Sequence, residues 1–171
     1  FAASVWGRND VTHLGIYDIP MMSNIPNLVY LAPTTYEEYI AMLDWSTEQR
    51  EHPVAIRVPG AVIHGEKPTK DYGILNKYET VQKGSGAAII ALGTFFGMGK
   101  QAAELIEKKT CVKPTLINPV YITGIDEELL ESLKKDHKAV VTLEDGILDG
   151  GFGGKIARFY GDSDMRTVNF G

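Results

Sequence analysis

The run Ala87-Ala88-Ile89-Ile90-Ala91-Leu92 decides the fold. A strand with one wet face alternates apolar and polar residues. This run is apolar throughout, so both of its faces must be covered. Residues 28–31, 54–58 and 139–143 follow the same pattern, and 115–117 adds a shorter fifth run. Strands buried on both faces belong to parallel sheets, whose crossovers are helices. Helical patterns lie between the runs. Thr34 and Thr35 stand three residues before Glu37 and Glu38, a doubled capping box, and Tyr36, Tyr39, Ile40 and Leu43 then predict one apolar face. Met98, Ala102, Leu105 and Ile106 predict a second. Asp126 caps a third helix with Leu129, Leu130 and Leu133 inward, and Phe152, Ile156 and Phe159 mark a fourth. The expected class is α/β, with a mostly parallel, right-handed sheet. Shorter strands are expected at 1–4, 78–82 and 166–170.

The stretch 60–86 interrupts this alternation. It holds Gly65, Pro68, Gly73, Gly84 and Gly86 with four interspersed lysines and no helical period, so it is expected to link two units. Residues 1–60 make only part of a domain, and 84–171 make a complete small one, with 61–83 between them. The chain starts at Phe1, within what reads as a strand, and we expect it to be a piece of a longer protein.

Composition narrows the function classes. The chain has 171 residues, 44% hydrophobic and 23% charged, which is ordinary for a globular domain. A formal charge of −5 without a basic stripe argues against nucleic acid as a partner. Anionic substrates would be met by a few placed cations. No apolar run approaches the ~20 residues of a membrane span, and no signal peptide is visible. The single Cys111 suits a reducing compartment and is expected to be buried and inert. A soluble, cytoplasmic protein is expected.

Two side chains stand out. Arg57 ends the 54–58 run just before Pro59-Gly60, and ligands of open α/β sheets bind outside the carboxyl ends of strands. Its planar fork suits a phosphate or carboxylate, and the alternative is a salt bridge to a neighbouring acid. His13 lies in the polar loop Asp10-Val11-Thr12-His13-Leu14-Gly15-Ile16-Tyr17-Asp18, ahead of a buried strand. There it can act as acid, base or hydrogen-bond donor, or be a solvated imidazole. Tyr17, Asp18 and Tyr30 are expected to be structural, as packing aromatics and a capping carboxylate. His52, His64 and His137 lack ligand spacing, and no metal site is expected. Gly150-Gly151-Phe152-Gly153-Gly154 precedes a helix and either forms an anion nest or packs that helix closely on its strand.

The His13 loop, with Ile25-Pro26-Asn27 after it, resembles the Thr-His-x-Gly-x-Phe-Asp loop of the 1-deoxy-D-xylulose-5-phosphate synthase family, thiamine-diphosphate enzymes of the transketolase superfamily. The resemblance runs on through Ala55-Ile56-Arg57-Val58-Pro59-Gly60 and Val141-Thr142-Leu143-Glu144-Asp145-Gly146 to the glycine-rich segment, over nearly the whole chain. It implies a partial pyrimidine-binding domain (1–60) and a transketolase C-terminal domain (84–171). It also implies a homodimeric parent that joins pyruvate to glyceraldehyde 3-phosphate with loss of CO₂, for isoprenoid and thiamine synthesis. By resemblance, His13 faces the reacting sugar, Arg57 binds its phosphate, and Asn9 or Asp10 contacts a hydroxyl. The family's acid falls where this chain has Asn9, and Arg8 is the nearest counterpart of an arginine that the family carries upstream.

The superfamily holds thiamine diphosphate and Mg²⁺ with a Gly-Asp-Gly…Asn motif that this sequence lacks. The chain alone is therefore expected to bind neither and to be inactive without the missing N-terminal part. Alternatives are a transketolase, a 2-oxoacid dehydrogenase β-type subunit, or a non-catalytic dimerisation or regulatory module of the same fold.

Overall fold

The computed structural model describes residues 15–171 and the backbone of Ala2–Ala3. The first part contains β1 (Ala2–Ala3), α1 (Asp18–Met22), β2 (Val29–Leu31), α2 (Tyr36–Glu48), β3 (Val54–Ile56) and β4 (Val58–Pro59). β2 pairs in parallel with β3, and β1 with β4. The single strand expected over 54–58 is thus divided at Arg57, whose N–H reaches Leu31 O at 2.8 Å before the chain changes partner. α1 was not legible in the sequence. Its Pro20 falls in the first turn, where a missing N–H is tolerated.

The second part forms one sheet. It comprises β5 (Glu79–Gln82), β6 (Gly86–Ala91), α3 (Phe96–Thr110), β7 (Thr115–Asn118), α4 (Glu127–Leu133), β8 (His137–Leu143), α5 (Phe152–Phe159) and β9 (Arg166–Phe170). The strand order is β5-β7-β6-β8-β9, all parallel except β5. β6, the run that decided the fold, lies at the centre. Its Ile89 and Ala91 pack with Ala103 of α3, while Ala88 and Ile90 pack with Leu130 of α4 and Ile156 of α5. Alternate residues of one strand therefore feed two helical layers, as the pleat requires. The two parts are joined by main-chain bonds to the segment after β7, Ala32 N–H to Val120 O at 2.8 Å and Ile122 N–H to Tyr30 O at 2.7 Å. They also share a core in which Ile19 and Tyr30 pack among Ile90, Ile122 and Phe152.

Two helix faces depart from the apolar pattern. α2 turns inward through Glu38, Ala41, Met42 and Trp45, leaving Tyr36 44% exposed. The cause is Glu38. Thr35 Oγ1 caps its N–H at 3.2 Å, and its carboxylate accepts from Thr34 N–H at 2.7 Å, Thr34 Oγ1 at 2.9 Å and Asn118 Nδ2 at 2.9 Å. α3 turns inward through Gly99, Ala103 and Ile106, leaving Met98 and Leu105 exposed. A Cβ at Gly99 would sit 2.6 Å from that of Ala91, so the smallest residue sets the contact and rotates the face away from the expected one. Cys111, expected to be buried, is exposed; it closes α3 in the left-handed region at φ 57°. No helix among the described residues is long and apolar enough to cross a membrane.

Candidate functional site at the carboxyl edge of the sheet

α3 covers one face of the sheet and α4 and α5 the other, so the chain leaves β6 and β8 in opposite directions. Such a divergence opens a crevice at the carboxyl ends of the strands, the usual ligand position in this architecture. Here polar groups from four segments fill it. Asp145 follows β8, Thr94 follows β6, Arg57 follows β3, and Asp18 opens α1. Thr94 Oγ1 donates to Asp145 Oδ2 at 2.7 Å, spanning the crevice.

Arg57 is the centre of this cluster and is 4% exposed. Its Nε donates to Asp18 Oδ2 at 2.7 Å, and its Nη2 lies 3.2 Å from Asp18 Oδ1, 3.0 Å from Asp145 Oδ1 and 2.6 Å from Asp145 O. Nη2 also donates to the Gly15 carbonyl, two residues past His13. Tyr30 donates its hydroxyl to Asp18. Of the two alternatives open in the sequence, the salt bridge is therefore formed. Asp18, expected to be a cap, is its main counter-ion.

The two carboxylates differ. Burial works against ionised Asp18, yet the bonds from Arg57 and Tyr30 outweigh it and hold the carboxyl below its ordinary range. Asp145 is more deeply buried, and only one of its carboxylate oxygens meets the guanidinium. Burial wins there and raises its carboxyl, against the pull of Arg57 and Thr94. Burial would lower the Arg57 guanidinium, but the two aspartates raise it. Tyr30 is pushed up by burial and by Asp18. One cation thus serves two acids, and it favours the charged form of Asp18 more strongly than that of Asp145.

His13, Asn9, Asp10 and Arg8 lie outside the described residues. His64 meets Glu37 on the surface at 2.9 Å, and His137 is buried between Thr115 Oγ1 (2.7 Å) and Leu133 O (3.1 Å). Among the described residues no group of three His, Cys, Asp or Glu side chains is placed to hold a metal ion. The glycine-rich nest is occupied by the chain itself. The Glu144 carboxylate accepts the N–H groups of Phe152 and Gly153 at the start of α5, both at 2.7 Å. A Cβ on Gly151 would sit 2.6 Å from that carboxylate, which is why glycine stands there. Glu144-Asp145-Gly146 consequently has no free acid: Glu144 caps α5 and Asp145 binds Arg57 and Thr94. Neither acid of this triplet is available to a diphosphate-bound Mg²⁺.

The sequence pattern missed Asp18, Tyr30, Thr94 and Asp145 as members of this site. One signal was available: an arginine buried at a strand end requires carboxylates, and Asp18 and Asp145 both lay in quoted motifs.

The family model described as transketolase, C-terminal domain, matches residues 76–168, just over half of the chain. The chain belongs to this family. The match takes in the whole span from β5 to α5. The curated 1-deoxy-D-xylulose-5-phosphate synthases of Clostridium beijerinckii and Clostridium perfringens are 34% and 37% identical to it, over 96% and 92% of its length. The chain spans about a quarter of those relatives, 26% and 25%. A solved structure described as a split-gene transketolase, inactive beta4 tetramer, superposes with a TM-score of 0.82 at 23% identity, covering 92% of this chain and 52% of that one. The fold is shared over that matched span.

Proposed function

We propose that this chain forms the substrate wall and assembly domain of a 1-deoxy-D-xylulose-5-phosphate synthase that joins pyruvate to glyceraldehyde 3-phosphate. The observation that carries this reading is the 34–37% identity to such synthases over nearly the entire chain, with Arg57 at the crevice where an α/β sheet binds its ligand. Thiamine diphosphate and Mg²⁺ are held by the N-terminal part of the enzyme, and the cofactor supplies the electron sink for decarboxylation. His13 faces the reacting sugar, and Asn9 or Asp10 contacts a hydroxyl. Arg57 Nη1, which makes no hydrogen bond among the described residues, is the arm of the fork assigned to the phosphate, while Nε and Nη2 hold Asp18 and Gly15.

The solved neighbour described as a split-gene, inactive tetramer favours one refinement. This chain is inactive alone and works in a cytoplasmic assembly together with the part of the synthase that it does not span. The test is to combine it with the N-terminal region of its parent, thiamine diphosphate and Mg²⁺, and to follow CO₂ release from pyruvate. We expect release that depends on glyceraldehyde 3-phosphate from the combined protein and none from this chain by itself. Turnover by the chain alone, or ketol transfer from a sugar phosphate without pyruvate, overturns the reading.

A further inference from the structure

A cavity of about 400 Å³ opens between the loop after β7, the residues after α1 and the start of α5. It shares no lining residue with the Arg57 cluster. Its charged lining consists of Lys155 and Arg158, one turn apart on α5, and Ser23 and Asn24 supply the other polar side chains. Among the described residues no carboxylate lines it.

Two neighbouring acids are engaged elsewhere, and Asp149, next to the lining residue Gly150, does not itself line the cavity. Glu144 is taken by the N–H groups of Phe152 and Gly153. Asp126, beside the lining residue Ile125, accepts from Tyr78 N–H at 3.0 Å, Leu129 N–H at 3.1 Å and Lys77 Nζ at 3.3 Å. Among the described residues neither Lys155 nor Arg158 forms an ion pair. Lys155 is nonetheless held in position, because its Nζ donates to Ile122 O at 2.8 Å. An ammonium has three donors, so two remain for the cavity. Burial, and then the neighbouring charge of Arg158, push the Lys155 amine down from its ordinary value, against a weaker pull from Glu144. Two neighbouring cations with no ion-pair partner among the described residues gain from an anion that enters.

We infer that this cavity binds the phosphate group of a small phosphate ester, between the Arg158 fork and the Lys155 ammonium. A guanidinium can meet two phosphate oxygens at once, with the ammonium as a point charge beside it. The volume is within the range of small-ligand sites and leaves room for an organic group beyond the phosphate.

The test is a titration of the full chain, followed by amide chemical shifts, with glycerol 3-phosphate, inorganic phosphate and glycerol. Glycerol 3-phosphate should give saturable shifts confined to Ser23, Gly124, Gly150 and Gly154, with weaker binding of inorganic phosphate and none of glycerol. Replacing both cations (Lys155→Gln with Arg158→Gln) should weaken binding about tenfold or more, the scale of losing hydrogen bonds to a charged group. Lys108→Gln with Lys109→Gln, at the far end of α3, should leave it unchanged. If the double variant does not fold, the exposed Arg158→Gln alone gives the same reading. Shifts that do not saturate, that spread over the lysine-bearing surface, or that persist without the two cations overturn the proposal. Tighter binding of inorganic phosphate than of the ester overturns the ester assignment.

Discussion

Arg57 Nη2 lies 3.0 Å from Asp145 Oδ1, across 88 residues of chain. With Asp18 on the other side of the guanidinium, this contact ties the segment from Gly15 to Asp18 to the end of the central sheet. The crevice between β6 and β8 is therefore braced by charge, and each acid depends on the same cation.

Arg57→Met should destabilise the fold by about 3–5 kcal/mol, because it leaves the buried Asp145 and the half-buried Asp18 without their cation. Arg57→Lys should recover only part, since an ammonium cannot reproduce the fork that reaches Asp18, Asp145 and Gly15 together. Denaturant midpoints at constant slope measure both. A loss below about 1 kcal/mol, the range of a surface pair, would show that the cluster is not a structural brace.

Glu144→Ala should strip the buried start of α5 of its acceptor and cost about 2–4 kcal/mol, as two N–H groups go unmet. Hydrogen exchange at Phe152 and Gly153 should accelerate first. Unchanged protection at both amides would mean that water replaces the carboxylate without penalty.

Glu38 should make stability fall with rising pH. Burial holds its carboxyl above the ordinary value of 4.5, despite donors from Thr34 and Asn118. The folded chain thus keeps a proton that the unfolded chain has released. The resulting stabilisation is present below pH 4.5 and is lost as pH rises through the higher folded value. Relative to the parent chain, Glu38→Gln should gain stability as pH rises through that window, with a slope of at most about 1.4 kcal/mol per pH unit. Parallel stability curves for the two proteins would contradict this.

Gly99 and Gly97 should respond in opposite directions. A side chain at Gly99 meets Ala91, so Gly99→Leu should cost about 1–3 kcal/mol through overpacking. Among the described residues nothing lies within 4 Å of a Cβ added at Gly97, so Gly97→Ala should add up to about 1 kcal/mol by helix propensity. Thermal unfolding of the two variants checks the pair, and equal shifts would mean that α3 does not pack through Gly99.

Limited proteolysis should cut first within residues 61–70, an exposed stretch outside any helix or strand. It is tethered locally by bonds such as Gly65 N–H to Glu37 at 2.8 Å. N-terminal sequencing of the first fragments measures this. A first cut within the sheet from β6 to β9 would contradict the division of the chain into two parts.

The sequence by itself determined the strands, their order along the chain and the layering around them. A run such as Ala87-Ala88-Ile89-Ile90 can only be satisfied between two helical layers, and this is a local property. It also marked Arg57, because a strand end before Pro-Gly is visible in the chain. Which faces α2 and α3 present was decided by tertiary contacts. Glu38 is drawn inward by Asn118, 80 residues away, and Gly99 is set by its approach to Ala91. The same holds for the partners of Arg57, which lie 39 and 88 residues distant in the chain. Periodicity reports what lies above and below a residue on its own element. Pairing a buried charge requires knowing what the fold brings against it, and only the packed structure supplies that.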